Sequence, residues 1–140
     1  MRNIFDQYSQ PENRLTHALA SVLHHDRGLL KDFLKKFGPV THPPVENLHV
    51  IEQGLPGSTE SEEEKPIKQG LPDAIIFDEQ GWAFLVESKI SSALTKDQLQ
   101  RHINTVRKCG YDQIHGLTIT MNGHSVSEPE WYTTKWKWPA

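Results

Sequence analysis

The sequence has one cysteine, Cys109, so no disulfide can form within the chain. That fits a reducing compartment, where a framework of cross-links is not expected. No apolar run approaches the roughly 18 residues that a membrane-spanning helix requires. The opening stretch, MRNIFDQYSQ, lacks the charged-then-apolar layout of a secretory leader. The expectation is a cytoplasmic protein with no membrane partner. There is no H-E-x-x-H, no cysteine pair, no G-x-S-x-G and no Walker-type glycine loop. Structural zinc, acyl hydrolysis and nucleotide hydrolysis therefore lack their usual motifs. Apolar residues make up 36% of the chain, low for a compact domain, so the core must rest on a few strongly apolar segments.

What is present fits one domain of 140 residues. The net charge of −3 argues against a non-specific nucleic-acid coat, which would leave a basic footprint. The charges are unevenly placed, however. Glu60, Glu62, Glu63 and Glu64 fall in one run, within a Gly-, Ser-, Pro- and Glu-rich segment from 54 to 70 that is expected to be a flexible loop. Lys31, Lys35 and Lys36 gather on one predicted helix, and Arg101, Arg107 and Lys108 on another; each set reads as a solvated face.

Ser9-Gln10-Pro11-Glu12 has the form of a capping box and opens a helix with Leu15, Leu19, Val22 and Leu23 as its buried stripe. His24 and His25 close it, where a cation suits the helix dipole, and Gly28 breaks the pattern. A second helix turns Leu30, Phe33, Leu34 and Phe37 inward and stops at Gly38-Pro39. Strands are expected over 45–53, 71–77 and 82–90, the last two joined by a turn at Asp78–Gly81. Ala83-Phe84-Leu85-Val86 is apolar on both faces and marks a central strand. Thr95 opens a third helix with Leu99, Ile103 and Val106 buried and Gly110 at its end. Cys109, at that end, reads as a small buried residue. A further strand is expected over 116–121. The tail from 125 to 140 carries Trp131, Tyr132, Trp136 and Trp138, and should fold back on the core or pack on a second subunit. The order predicts an α/β domain with a mixed sheet flanked by helices.

The chemistry concentrates between Leu71 and His102. Strand alternation puts Glu87 and Lys89 on one face and Ser88 on the other. Asp73 heads the preceding strand, and the Asp78–Gly81 turn folds its carboxylate towards Glu87. Two ionised carboxylates held close are comfortable only with a shared proton or a bound cation. Oxygen donors with open water positions suit Mg²⁺ or Mn²⁺. Asp73 and Glu87 are thus candidate metal ligands, the Ser88 carbonyl a further oxygen, and Lys89 the group that would orient an attacking water.

Pro72-Asp73 and Glu87-Ser88-Lys89 together resemble the signature of the PD-(D/E)XK nuclease superfamily, with its restriction-endonuclease-like fold. The resemblance spans roughly residues 9 to 121 and includes an α-β-β-β-α-β order. It implies a Mg²⁺-dependent nuclease acting on DNA. It also implies two accessory roles: Glu12 as a further acid of the metal site, and Gln98 as the first residue of a Q-h-x-x-Y-like motif, here Gln98-Leu99-Gln100-Arg101-His102 with histidine where tyrosine is usual. Glu12 and Gln98 are equally the second halves of capping boxes with Ser9 and Thr95. The alternative is a non-catalytic module of the same fold, serving as a nucleic-acid-binding or protein-interaction subunit in a homodimer or larger assembly.

Overall fold

A computed structural model describes residues 11–54, 56, 71–89, 95–120 and 131–135, without the side chains of 11–13 and 131–135. The elements run α1 (Pro11–His25), α2 (Arg27–Phe37), a 3₁₀ turn (Val45–Asn47), β1 (His49–Glu52), β2 (Ala74–Phe77), β3 (Trp82–Lys89), α3 (Lys96–Lys108), β4 (Gln113–Thr120) and β5 (Trp131–Lys135). The five strands lie side by side in sequence order. β1–β2 and β2–β3 are antiparallel, β3–β4 and β4–β5 parallel, so the sheet is mixed.

Alternation along β3 divides the core in two. Phe84 and Val86 point to one face, where Ala20 and Leu23 of α1 and Leu30 and Leu34 of α2 cover them. Ala83 and Leu85 point to the other, against Leu99, Ile103 and Val106 of α3. β3 is buried from Trp82 to Ser88, as a central strand covered on both sides should be. Because β3 and β4 run parallel, the chain must cross over between them, and α3 is that crossover. Its first turn therefore comes back over the end of β3 that carries Glu87 and Lys89.

The turn between β2 and β3 is built by Asp78, a buried acid whose Oδ1 accepts from the backbone N–H groups of Gln80 and Trp82, each at 2.9 Å. Gly81 completes it at φ +102°, and a Cβ there would stand 2.7 Å from Asp112 Oδ1. Gly81→Ala is expected to cost about 1–3 kcal/mol, combining a left-handed backbone with a forced contact. A urea unfolding midpoint that falls without a change in slope would show it; an unmoved midpoint would mean that the turn relaxes freely.

Several boundaries differ from the sequence reading. Val22 is 46% exposed, and α1 buries Thr16 and Ala20 beside the expected Leu23, with Leu19 partly buried against the core. A 3.6-residue period admits adjacent stripes, and the one chosen lets the Thr16 hydroxyl donate to Ser88 Oγ at 2.9 Å. The break between α1 and α2 falls at Asp26, not Gly28: Asp26 Oδ1 accepts from Leu29 N at 2.9 Å and caps α2, leaving Gly28 in its first turn. After Pro43-Pro44 the chain makes a 3₁₀ turn before entering β1, so the strand is shorter than 45–53. β2 starts at Ala74, because Pro72 has no N–H for a ladder. Cys109 is exposed rather than buried, being the C-cap of α3 beyond its last buried residue, Val106. β4 begins at Gln113, three residues earlier than expected. Part of the Trp-rich tail does fold back, as β5 against β4. Ser9, Ile90, Met121, the segment 57–70 and the remainder of the tail lie outside the described residues.

Candidate active site

Asp73, Glu87, Lys89 and Gln98 come together at the end of β3, on the side of the sheet that α3 covers. Antiparallel pairing of β2 with β3 sets Ala74 opposite Val86, which brings Asp73 level with Glu87 and Ser88. Asp73 Oδ2 accepts from Ser88 N at 2.9 Å, and Asp73 N donates to Glu87 Oε2 at 3.2 Å. The two acids are thus tied to each other's backbone, and neither can swing away without breaking a bond.

Glu87 is 3% exposed. Its Oε1 accepts from Gln98 Nε2 at 3.1 Å, and Lys89 Nζ stands 3.8 Å from the same oxygen. The Gln98 side chain therefore serves Glu87. The capping of α3 falls to Thr95, whose Oγ1 accepts from Gln98 N at 3.2 Å. Lys89 keeps 20% of its side chain exposed, enough for its ammonium to meet a ligand from solvent. Ser88 faces the opposite way, with its hydroxyl on Thr16 and its N–H on Asp73, which leaves its carbonyl as the group to consider. Glu12 lies in the first turn of α1, and its side chain lies outside the described residues.

Asp73 pays for this company. Burial, and then the nearby negative charge of Glu87, push its carboxyl from the ordinary 3.8 up to about 7, against the pull of Ser88 N–H, Lys89 and His102. A carboxyl that holds its proton to neutrality beside a second acid is a group that a cation would ionise. Among the described residues no three His, Cys, Asp or Glu side chains are grouped to hold a metal. The available set is two carboxylates and a backbone carbonyl. This suits Mg²⁺, which commonly binds through one or two carboxylates and keeps several of its waters.

His102, one turn beyond Gln98 on α3, belongs to the same cluster: it is 1% exposed, with Nε2 3.5 Å from Glu87 Oε2. The four-residue spacing from Gln98 places both on one helix face, yet nothing in the sequence shows that this face looks down on Glu87. Thr118 is another buried polar neighbour, paired in register with Glu87 across β3 and β4. Among the described residues no helix is long and apolar enough to cross a membrane. Comparison with protein-family models, with curated proteins and with solved structures returns no match.

Proposed function

We propose that the chain is a Mg²⁺-dependent nuclease of the PD-(D/E)XK type, hydrolysing phosphodiester bonds in DNA. One observation carries the proposal: Asp73, Glu87 and Lys89 converge at the end of a central strand, where burial and then the charge of Glu87 push the Asp73 carboxyl up to about 7. The preference for DNA, and the restriction-endonuclease-like description of the core, rest on the resemblance of the motifs and of the element order. Asp73 and Glu87 would hold the cation, with Ser88 O as a further donor and Glu12 as an added acid. When bound, it lowers the pKa of a coordinated water and polarises the scissile phosphate. Gln98 fixes the Glu87 carboxylate so that it meets its ligand without reorganising. Lys89 orients the attacking water and counters the charge that builds on the phosphoryl oxygens.

The test is cleavage of plasmid and of labelled oligonucleotides in Mg²⁺, in Mn²⁺ and in EDTA, with Asp73→Ala and Glu87→Ala beside the wild type. Cutting that needs the cation and disappears in both variants is the expected result. Equal activity in every lane would end the proposal.

A second reading has its own support. Glu87 is almost sealed from solvent, and both of its oxygens already meet protein donors, as in a purely structural carboxylate. On that reading the domain is a non-catalytic nucleic-acid-binding or protein-interaction subunit. Calorimetric titration with Mn²⁺ separates the two: heat lost in Asp73→Ala and Glu87→Ala favours the nuclease, and no heat from the wild type favours the subunit.

A further inference from the structure

His102 has no assigned role in the proposed reaction, yet its burial is costly. Its side chain is 2% exposed, and among the described residues neither Nδ1 nor Nε2 has a hydrogen-bond partner of ordinary geometry. Buried polar atoms are normally paired, because an unpaired one forfeits its hydration for nothing. An apolar ring in the same space would avoid that loss. Glu87 Oε2 stands 3.5 Å from Nε2.

Gln98 and His102 are four residues apart on α3 and address different oxygens of the same carboxylate: Gln98 Nε2 donates to Oε1 at 3.1 Å, while His102 Nε2 faces Oε2. Asp73 N also donates to Oε2, at 3.2 Å. An Asp73 N–H and a His102 Nε2–H together fill both lone pairs of Oε2. Oε1, with Gln98 on one lone pair, keeps the other on the side where Lys89 stands. Contacts of this kind often stand long in a free enzyme and tighten in its complexes.

We infer that His102 is a positioning residue: its Nε2–H anchors Glu87 Oε2 while Gln98 steadies Oε1, and this clamp sets the affinity of the Asp73–Glu87 pair for a divalent cation. The inference rests on the metal-binding reading above. Partners that orient a ligating carboxylate are worth on the order of 10- to 100-fold in metal affinity. His102 therefore tunes the site without touching the ion.

Calorimetric titration with Mn²⁺ and thermal melting, both on the full chain, test it with His102→Phe and His102→Gln. Phenylalanine fills the space without a donor, whereas glutamine carries an amide N–H at about the reach of Nε2. The expected result is a fall of roughly 10- to 100-fold in Mn²⁺ affinity for His102→Phe with an unchanged or raised melting temperature. His102→Gln should recover most of the affinity. Wild-type Mn²⁺ affinity in His102→Phe overturns the inference alone, as does a loss that follows the melting temperature equally in both variants. A wild-type protein that binds no Mn²⁺ removes the metal reading and this inference with it.

Discussion

Lys89→Ala is expected to slow the proposed phosphodiester cleavage by roughly 10²- to 10³-fold, the loss seen when one preorganised donor is removed from a developing charge. The variant should still bind the cation, because both carboxylates remain. That split is the signature of a group acting on the reaction rather than on metal loading. Lys89 is placed for it: its ammonium lies 3.8 Å from Glu87 Oε1, too far for a strong hydrogen bond, and a fifth of its side chain remains exposed. A lysine serving only to neutralise Glu87 would sit closer and be as buried as its partner. The stability cost should be modest, about 1 kcal/mol or less, since Gln98 and Asp73 N still satisfy Glu87. Lys89→Arg should rescue poorly, because a planar fork does not replace a compact ammonium beside a small water. Single-turnover cleavage at saturating Mg²⁺ reads the effect. A rate within a few-fold of wild type would place the ammonium away from the reacting bond.

The sequence shows this site because its signals are local and periodic. Two-residue alternation puts Glu87 and Lys89 on one face and sends Ser88 to the other, where Thr16 meets it. The Asp78–Gly81 turn, legible from its residue types, folds the strand of Asp73 back beside Glu87. Gln98 shows where local signals run out. Its spacing from Thr95 fits a capping box and the resemblance equally, and only packing of α3 on β3 decides that its amide reaches Glu87. His102 is further still from view: a histidine in a helix carries no mark of what lies beneath it. In α1 the expected stripe holds at Leu23 and Leu19 but not at Val22, and Thr16, which hydrogen-bonds Ser88, is buried in addition. Tertiary contact chooses among faces that periodicity leaves equivalent.

The fold also explains why these chemical groups collect at one end of the sheet. Among the described strands only β3 has an antiparallel neighbour on one side and a parallel neighbour on the other. The first brings Asp73 in by a short hairpin, and the second forces the crossover that brings in α3. Open sheets of this kind place their sites beyond the carboxyl ends of parallel strands, where crossover connections converge. The basic residues of α2 and the end of α3 stand exposed, without being needed to build the site.

Asp73→Asn is expected to stabilise the metal-free protein at pH 8 and to leave it nearly unchanged at pH 4. The folded protein holds the Asp73 proton up to about pH 7, whereas the unfolded chain releases it near 3.8. Between those values the native state binds more protons, so stability falls as pH rises and levels off above pH 7. The gap corresponds at most to about 4 kcal/mol, and the partial solvent access of Asp73 reduces the expected gain to about 1–3 kcal/mol. Asparagine keeps an oxygen for Ser88 N while removing the charge that Glu87 opposes. Urea unfolding of wild type and variant at pH 4, 6 and 8 in EDTA reads the difference directly. Adding Mg²⁺ at ten times its dissociation constant should then stabilise the wild type by about 1.4 kcal/mol and the variant by much less. Parallel pH profiles for the two proteins would mean that Asp73 ionises as an ordinary surface acid, and the case for a cation between it and Glu87 would lose its electrostatic basis.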